Sequence, residues 1–123
     1  MDRTWFLIGS IYGLLGVAAG AFGAHILKER LSPEYLEVFE TASRYQVYHA
    51  LALLAVSYAT TRWGGWPTTA AGWLFTIGVL LFSGSLYLLS ITGIKWLGAI
   101  TPLGGICFLA GWTMLIIAAV RGQ

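Results

Sequence analysis

Residues 5–27 read WFLIGSIYGLLGVAAGAFGAHIL. Five glycines stand in this stretch, Gly9, Gly13, Gly16, Gly20 and Gly23, at spacings of 4, 3, 4 and 3. At about 100° per residue they fall within one narrow sector of a helix. No Asp, Glu, Lys or Arg interrupts 4–27, and a run of that length is enough to cross about 30 Å of hydrocarbon. An apolar helix with one bare ridge predicts a membrane helix whose backbone is approached closely by a neighbour. Arg3, the apolar run and Ala19-Gly20-Ala21 also have the outline of a signal peptide. The run is long for a signal core, and cleavage would discard the ridge, so the segment is expected to be retained as a span.

Composition outside this stretch agrees with a lipid environment. Hydrophobic residues make up 58% of the 123 and charged residues 10%, against about 25% charged in soluble domains. The net charge of +2, with no basic run, gives no footprint for nucleic acid. A single cysteine, Cys107, excludes an internal disulfide and a cysteine metal cage. No metal site and no cofactor is expected.

Charge-free runs extend over 45–61, 63–94 and 96–120 as well. The longest opens with Trp63-Gly64-Gly65-Trp66-Pro67, a turn by composition. The spans are therefore placed at about 5–27, 44–61, 68–91 and 96–120. The expected fold is all-α: one integral membrane domain over 1–123, a four-transmembrane-helix up-down bundle with an amphipathic helix between spans 1 and 2. That helix starts at Ser32-Pro33, serine as N-cap and proline in the first turn. It sets Glu34, Glu37, Glu40 and Arg44 on one face and Tyr35, Leu36, Phe39 and Ala42 on another. It either runs on into the second span or bends near Thr41 to Arg44 and lies on the membrane surface. Glu40 and Arg44 are spaced as a helical ion pair.

An even span count puts both termini on one face, here the terminal face, and the links after spans 1 and 3 on the distal face. Trp5, Trp63 and Trp66 are expected at the terminal interface and Trp96 at the distal one. Arg3, Arg62 and Arg121 face Lys28, Arg30, Arg44 and Lys95 across the membrane, so charge sets no orientation. Small residues mark further packing seams. Tyr45, Tyr48, Ala52, Ala55 and Ala59 repeat on span 2, Ala71, Gly78 and Ser85 on span 3, and Gly104, Gly111 and Ala118 on span 4. Pro102, read as lying inside span 4, predicts a kink there.

Polar groups gather in the distal half. His25 ends span 1, Gln46 and His49 open span 2, Ser83, Ser85 and Tyr87 end span 3, and Thr101 opens span 4. Polar side chains in lipid turn toward the bundle, so these seven form the candidate functional cluster. His49 and Gln46 are expected inside it, with Tyr87 or Ser85 in reach, whereas His25 lies off the glycine ridge. Interhelical hydrogen bonding is the commonest use of such groups. A proton or solute path is one alternative, and bis-histidine haem ligation between two helices another. With no carboxylate inside a span and no HExxH or GxSxG motif, no catalytic residue is assigned.

Several of these stretches carry a resemblance: Gly20-Ala21-Phe22-Gly23-Ala24-His25, Tyr45 through Leu53, Phe82-Ser83-Gly84-Ser85-Leu86-Tyr87, Ile100 through Gly105, and Gly111-Trp112. In content and order they resemble the signature segments of the domain-of-unknown-function 423 family, small bacterial membrane proteins akin to eukaryotic transmembrane protein 256. The resemblance implies four spans in the inner or plasma membrane, and it implies no reaction. The expected role is non-enzymatic: an accessory or interaction protein whose partners are the lipid bilayer and a second copy or another membrane protein.

Overall fold

The computed structural model describes residues 2–122, and all regular structure among them is helical. Helix α1, Asp2–Leu27, is α-helical over Asp2–Ala18, widens into a π-turn over Ala19–Gly23 and closes with Ala24–Leu27. Helix α2 is Pro33–Arg62, α3 is Trp66–Thr92, and α4 is Thr101–Arg121, entered through a 3-10 turn at Lys95–Ala99. By length and composition α1, α3 and α4 with its leading turn are apolar enough to cross a membrane. Helix α2 is the polar one. The helices run up and down in sequence. The α2–α3 pair occupies the middle, with α1 packed mainly on α2 and α4 mainly on α3.

The amphipathic segment is not a separate surface helix. Ser32 accepts from the Tyr35 amide (3.2 Å) and Pro33 occupies the first turn. From there α2 continues unbroken for 30 residues, about 45 Å at 1.5 Å per residue. Its first turns are held inside the protein. Phe39 is buried, in edge contact with Tyr87 (5.0 Å between centroids) and against Gly23, and Ala42 is fully buried. Arg44 donates to Thr41 Oγ1 (3.2 Å) in place of the expected pair with Glu40.

Three further expectations need correction. Pro102 does not stand inside the α-helix of the fourth span. It stands in the first turn of α4, where its missing N–H has no helical partner to lose. Trp5 is not an interfacial anchor either. It is 0% exposed, edge-on to Trp73 (5.2 Å), with its ring in the slot left by Gly72, where a Cβ would overlap it. On α2, Tyr48 and Ala55 turn outward, Tyr48 being 51% exposed, and the buried face runs instead through Ala42, Gln46, His49, Leu53 and Val56.

The glycine ridge of α1 faces α2 along its whole length. A Cβ at Gly9 would meet Ala50 and Leu53, at Gly13 Ala50, at Gly16 Val47 and Gln46, at Gly20 Ser43 and at Gly23 Phe39. The contacts descend α2 as they ascend α1, an antiparallel seam with no side chain on one side of it. A second seam joins α3 to α4: Gly104 lies against Phe82, Gly111 against Phe75, and Gly78 against Phe108.

These clearances grade the ridge. A Cβ at Gly9 would sit 2.9 Å from the Ala50 carbonyl oxygen, which is backbone, whereas one at Gly13 would sit 3.7 Å from the Ala50 methyl. Gly9→Ala is therefore expected to destabilise the protein by about 1–3 kcal/mol. Gly13→Ala should be neutral or stabilising by up to about 1 kcal/mol, through helix propensity. Unfolding in detergent decides it, and equal effects at the two positions would remove the graded seam.

Candidate functional site

The polar side chains of α2 act on its neighbours' backbones. Ser57 donates to the Asp2 carbonyl (2.8 Å), Gln46 Nε2 to the Tyr12 carbonyl (2.9 Å) and Ser43 to the Gly16 carbonyl (2.8 Å), all on α1. Carbonyls already inside a helix keep a second lone pair, and the bare ridge lets a short side chain reach them. Gln46 also accepts at Oε1 from the Tyr87 hydroxyl of α3 (2.7 Å), so both ends of its amide are paired. Ser83 of α3 donates to the Ala42 carbonyl (2.7 Å), and Tyr12 of α1 to the Thr76 carbonyl (2.9 Å). The Gln46 centre thus ties α1, α2 and α3 together.

His49 faces the other way. Three residues after Gln46, it is turned about 60° around the helix and points toward α4. The imidazole is 5% exposed and lies flat on Phe108, 3.6 Å between centroids and 5° between planes. Its Nδ1 is 2.8 Å from the Tyr45 carbonyl and its Nε2 is 3.2 Å from the Trp112 indole nitrogen. A carbonyl only accepts and an indole N–H only donates. Nδ1 therefore carries the proton and Nε2 the lone pair: a neutral imidazole with both nitrogens engaged. Adding a proton at Nε2 would set two donors against each other and break the Trp112 bond.

The seven expected residues divide into separate groups. Gln46 and Tyr87 bond to each other, with Ser83 beside them on the same helices. Ser85 pairs with Thr101 across α3 and α4 (2.6 Å). His49 meets Trp112 rather than Ser85 or Tyr87. His25 is exposed near the end of α1, and its ring has no hydrogen-bond partner among the described residues. Gly23 sits opposite Phe39, so His25 lies roughly 18 Å along the axis from His49 at 1.5 Å per residue. One iron does not bridge that gap. Among the described residues no three His, Cys, Asp or Glu side chains group to hold a metal ion.

Ser43 and Trp112 make contacts with these groups but are not part of the expected cluster. Trp112 had a signal: a tryptophan well inside an apolar span, away from the interface, needs a partner for its N–H. Ser43 is a small polar residue at helical spacing from Gln46, but its role depends on the ridge opposite.

Two clefts flank these contacts. One, of about 170 Å³, lies over Gln46 and Tyr87 between α1 and α3. The other, of about 470 Å³, runs between α2 and α4 over Phe82, with His49, Phe108 and Trp112 at its floor.

The family model described as "Protein of unknown function (DUF423)" matches residues 19–105, which hold Ser43, Gln46, His49, Ser83, Ser85, Tyr87 and Thr101. The chain belongs to the DUF423 family. It is 47% identical over 120 residues to the UPF0382 membrane protein YwdK of Bacillus subtilis, covering 97% of this chain and 98% of the relative. A UPF0382 membrane protein of Staphylococcus saprophyticus is 43% identical over 122 residues, covering 97% and 98%. One of Staphylococcus epidermidis is 42% identical over 122 residues, covering 97% of each. No solved structure matches the chain. This DUF423 protein is an integral membrane protein, as its relatives' names and its apolar helices agree.

The Gln46–Tyr87 bond supports a double-mutant test. Tyr87→Phe and Gln46→Leu should each destabilise the protein. The double variant should lose less than their sum, with a coupling of about 1 kcal/mol, the usual size for such bonds between membrane helices. Strict additivity in detergent unfolding would mean that the two groups are not bonded.

Proposed function

We propose that all four helices span the plasma membrane and that the protein acts there without chemistry of its own, as an accessory or interaction protein. The observation that carries this reading is the pairing of Gln46 and His49 within the protein. Gln46 has both ends of its amide bonded, and His49 has both nitrogens bonded. A relay needs a group that exchanges its proton with a chain of water or carboxylates. A general base needs a free lone pair within reach of a substrate. The His49 lone pair is instead committed to Trp112. Helix α2 supports the four-span reading because the serines, amide and imidazole of its middle turns lie on the side that neighbours cover, while its charged residues stand toward its two ends. Ser43, Gln46, His49 and Ser57 are all buried, so these four groups are not presented to lipid.

Two experiments test this. Glu34→Cys and Thr61→Cys, near the two ends of α2, are expected to label from opposite faces of sealed vesicles with an impermeant maleimide. Labelling from one face alone would remove α2 as a span. In vesicles carrying the parent protein, proton flux should equal that of empty vesicles. Flux that is present in the parent and lost in His49→Gln would overturn the non-transport reading, because glutamine keeps hydrogen bonding but does not titrate near neutral pH. For stability, His49→Gln should be mild, whereas His49→Leu should cost about 1–3 kcal/mol by leaving the Trp112 N–H without a partner.

A further inference from the structure

The cleft between α2 and α4 is walled by side chains that join the helices but is itself left unfilled by them. It occupies about 470 Å³ and is lined by Tyr45, His49, Phe82, Gly105, Phe108 and Trp112 among others. From Pro102 to Trp112 it follows ten residues of α4, about 15 Å at 1.5 Å per residue. Its wall is preorganised. The His49 ring is fixed on Phe108 (3.6 Å), Trp112 is tied to His49 (3.2 Å), and Tyr45 lies over Phe82 (4.7 Å). Gly105 leaves the α4 side bare, with nothing within 4 Å of where its Cβ would be.

We propose that this groove holds one acyl chain of a bilayer phospholipid, entered from the distal face. The proposal rests on the four-span reading, which puts the groove at hydrocarbon depth and opens it sideways to lipid. Two observations select the occupant. First, the polar atoms at the deep end are closed to a ligand, since Trp112 N–H and both His49 nitrogens are bonded within the protein. A ring bearing carbonyls, such as a quinone, would find no donor there, whereas a methylene chain needs none. Second, the Tyr45 hydroxyl has no hydrogen-bond partner among the described residues, and Tyr45 is 37% exposed. Side chains on a helix lean toward its N-terminus, so this ring leans toward the distal face. A phospholipid whose chain lies in the groove brings its ester carbonyls to that end. An empty groove of this size in a bilayer would forfeit dispersion contacts along its whole length.

The test uses the full chain, reconstituted in vesicles of palmitoyl-oleoyl phosphatidylglycerol and phosphatidylethanolamine, extracted in mild detergent and weighed intact by native mass spectrometry. Gly105→Leu puts a side chain into the groove from a Cβ that itself meets nothing within 4 Å. Gly84→Leu is the matched control, since a Cβ there also meets nothing within 4 Å and the residue lines the other cleft. The parent and Gly84→Leu should each retain one phospholipid, and Gly105→Leu should show about tenfold lower occupancy, the equivalent of 1.4 kcal/mol. Should Gly105→Leu fail to fold, Ile106→Trp, at an exposed position lining the same groove, is expected to give the same loss. Equal retention in all variants would overturn the proposal. So would a bound isoprenoid quinone in place of phospholipid, or a dimer of the parent that Gly105→Leu converts to monomer. Each of these failures leaves the four-span reading intact, because the labelling of α2 decides that reading separately.

Discussion

The architecture depends on the close approach of α1 and α2. Membrane helices gain little from leaving lipid for one another, since both surroundings are apolar, so association relies on van der Waals contact and interhelical hydrogen bonds. The five glycines remove the side chains from one edge of α1 and bring its backbone against Phe39, Ser43, Gln46, Val47, Ala50 and Leu53. At that separation a serine hydroxyl or a glutamine amide on α2 spans the gap to an α1 carbonyl. Packing and hydrogen bonding are thus one arrangement: the missing side chains permit the bonds, and the bonds hold the register.

Helix α2 carries the consequence. In a membrane, an unpaired polar group costs several kcal/mol, so a helix with serines, an amide and an imidazole must be surrounded by partners. It receives them from α1, α3 and α4, which explains why the most polar helix is central. The same logic accounts for the burial of its first turns. Phe39 and Ala42 continue the inward face beyond the apolar core of the helix, and they hold an amphipathic segment against the protein.

Gln46 and His49 show how three residues of spacing separate two environments. Gln46 joins α1 and α3, while His49 stacks on α4. Both are paired at each end, and both border a cleft. The bonding that engages both His49 nitrogens also holds the ring in place, because an imidazole held at both nitrogens and along one face does not rotate freely. A rigid aromatic floor under an open groove is suited to recognising the shape of an apolar chain rather than its polar groups.

How much was legible in the sequence follows from which interactions are periodic. Glycines at 4, 3, 4 and 3, charge-free runs, Ser32-Pro33 and the Gly64-Gly65 turn are local patterns. Each acts through the geometry of one helix or turn, so helix number, direction and the bare face of α1 could be read directly. Tertiary structure alone decided the rest. Trp5 is buried because Gly72 of α3 leaves a slot for it, and Pro102 is harmless because the chain enters α4 through a 3-10 turn. His49 bonds to Trp112 because helices far apart in sequence set those residues at one depth. A polar residue's own helix fixes the direction in which it points, but the partner it finds depends on how neighbouring helices are rotated and registered. Those are properties of the packed bundle, set by contacts between segments and absent from the pattern within any one of them.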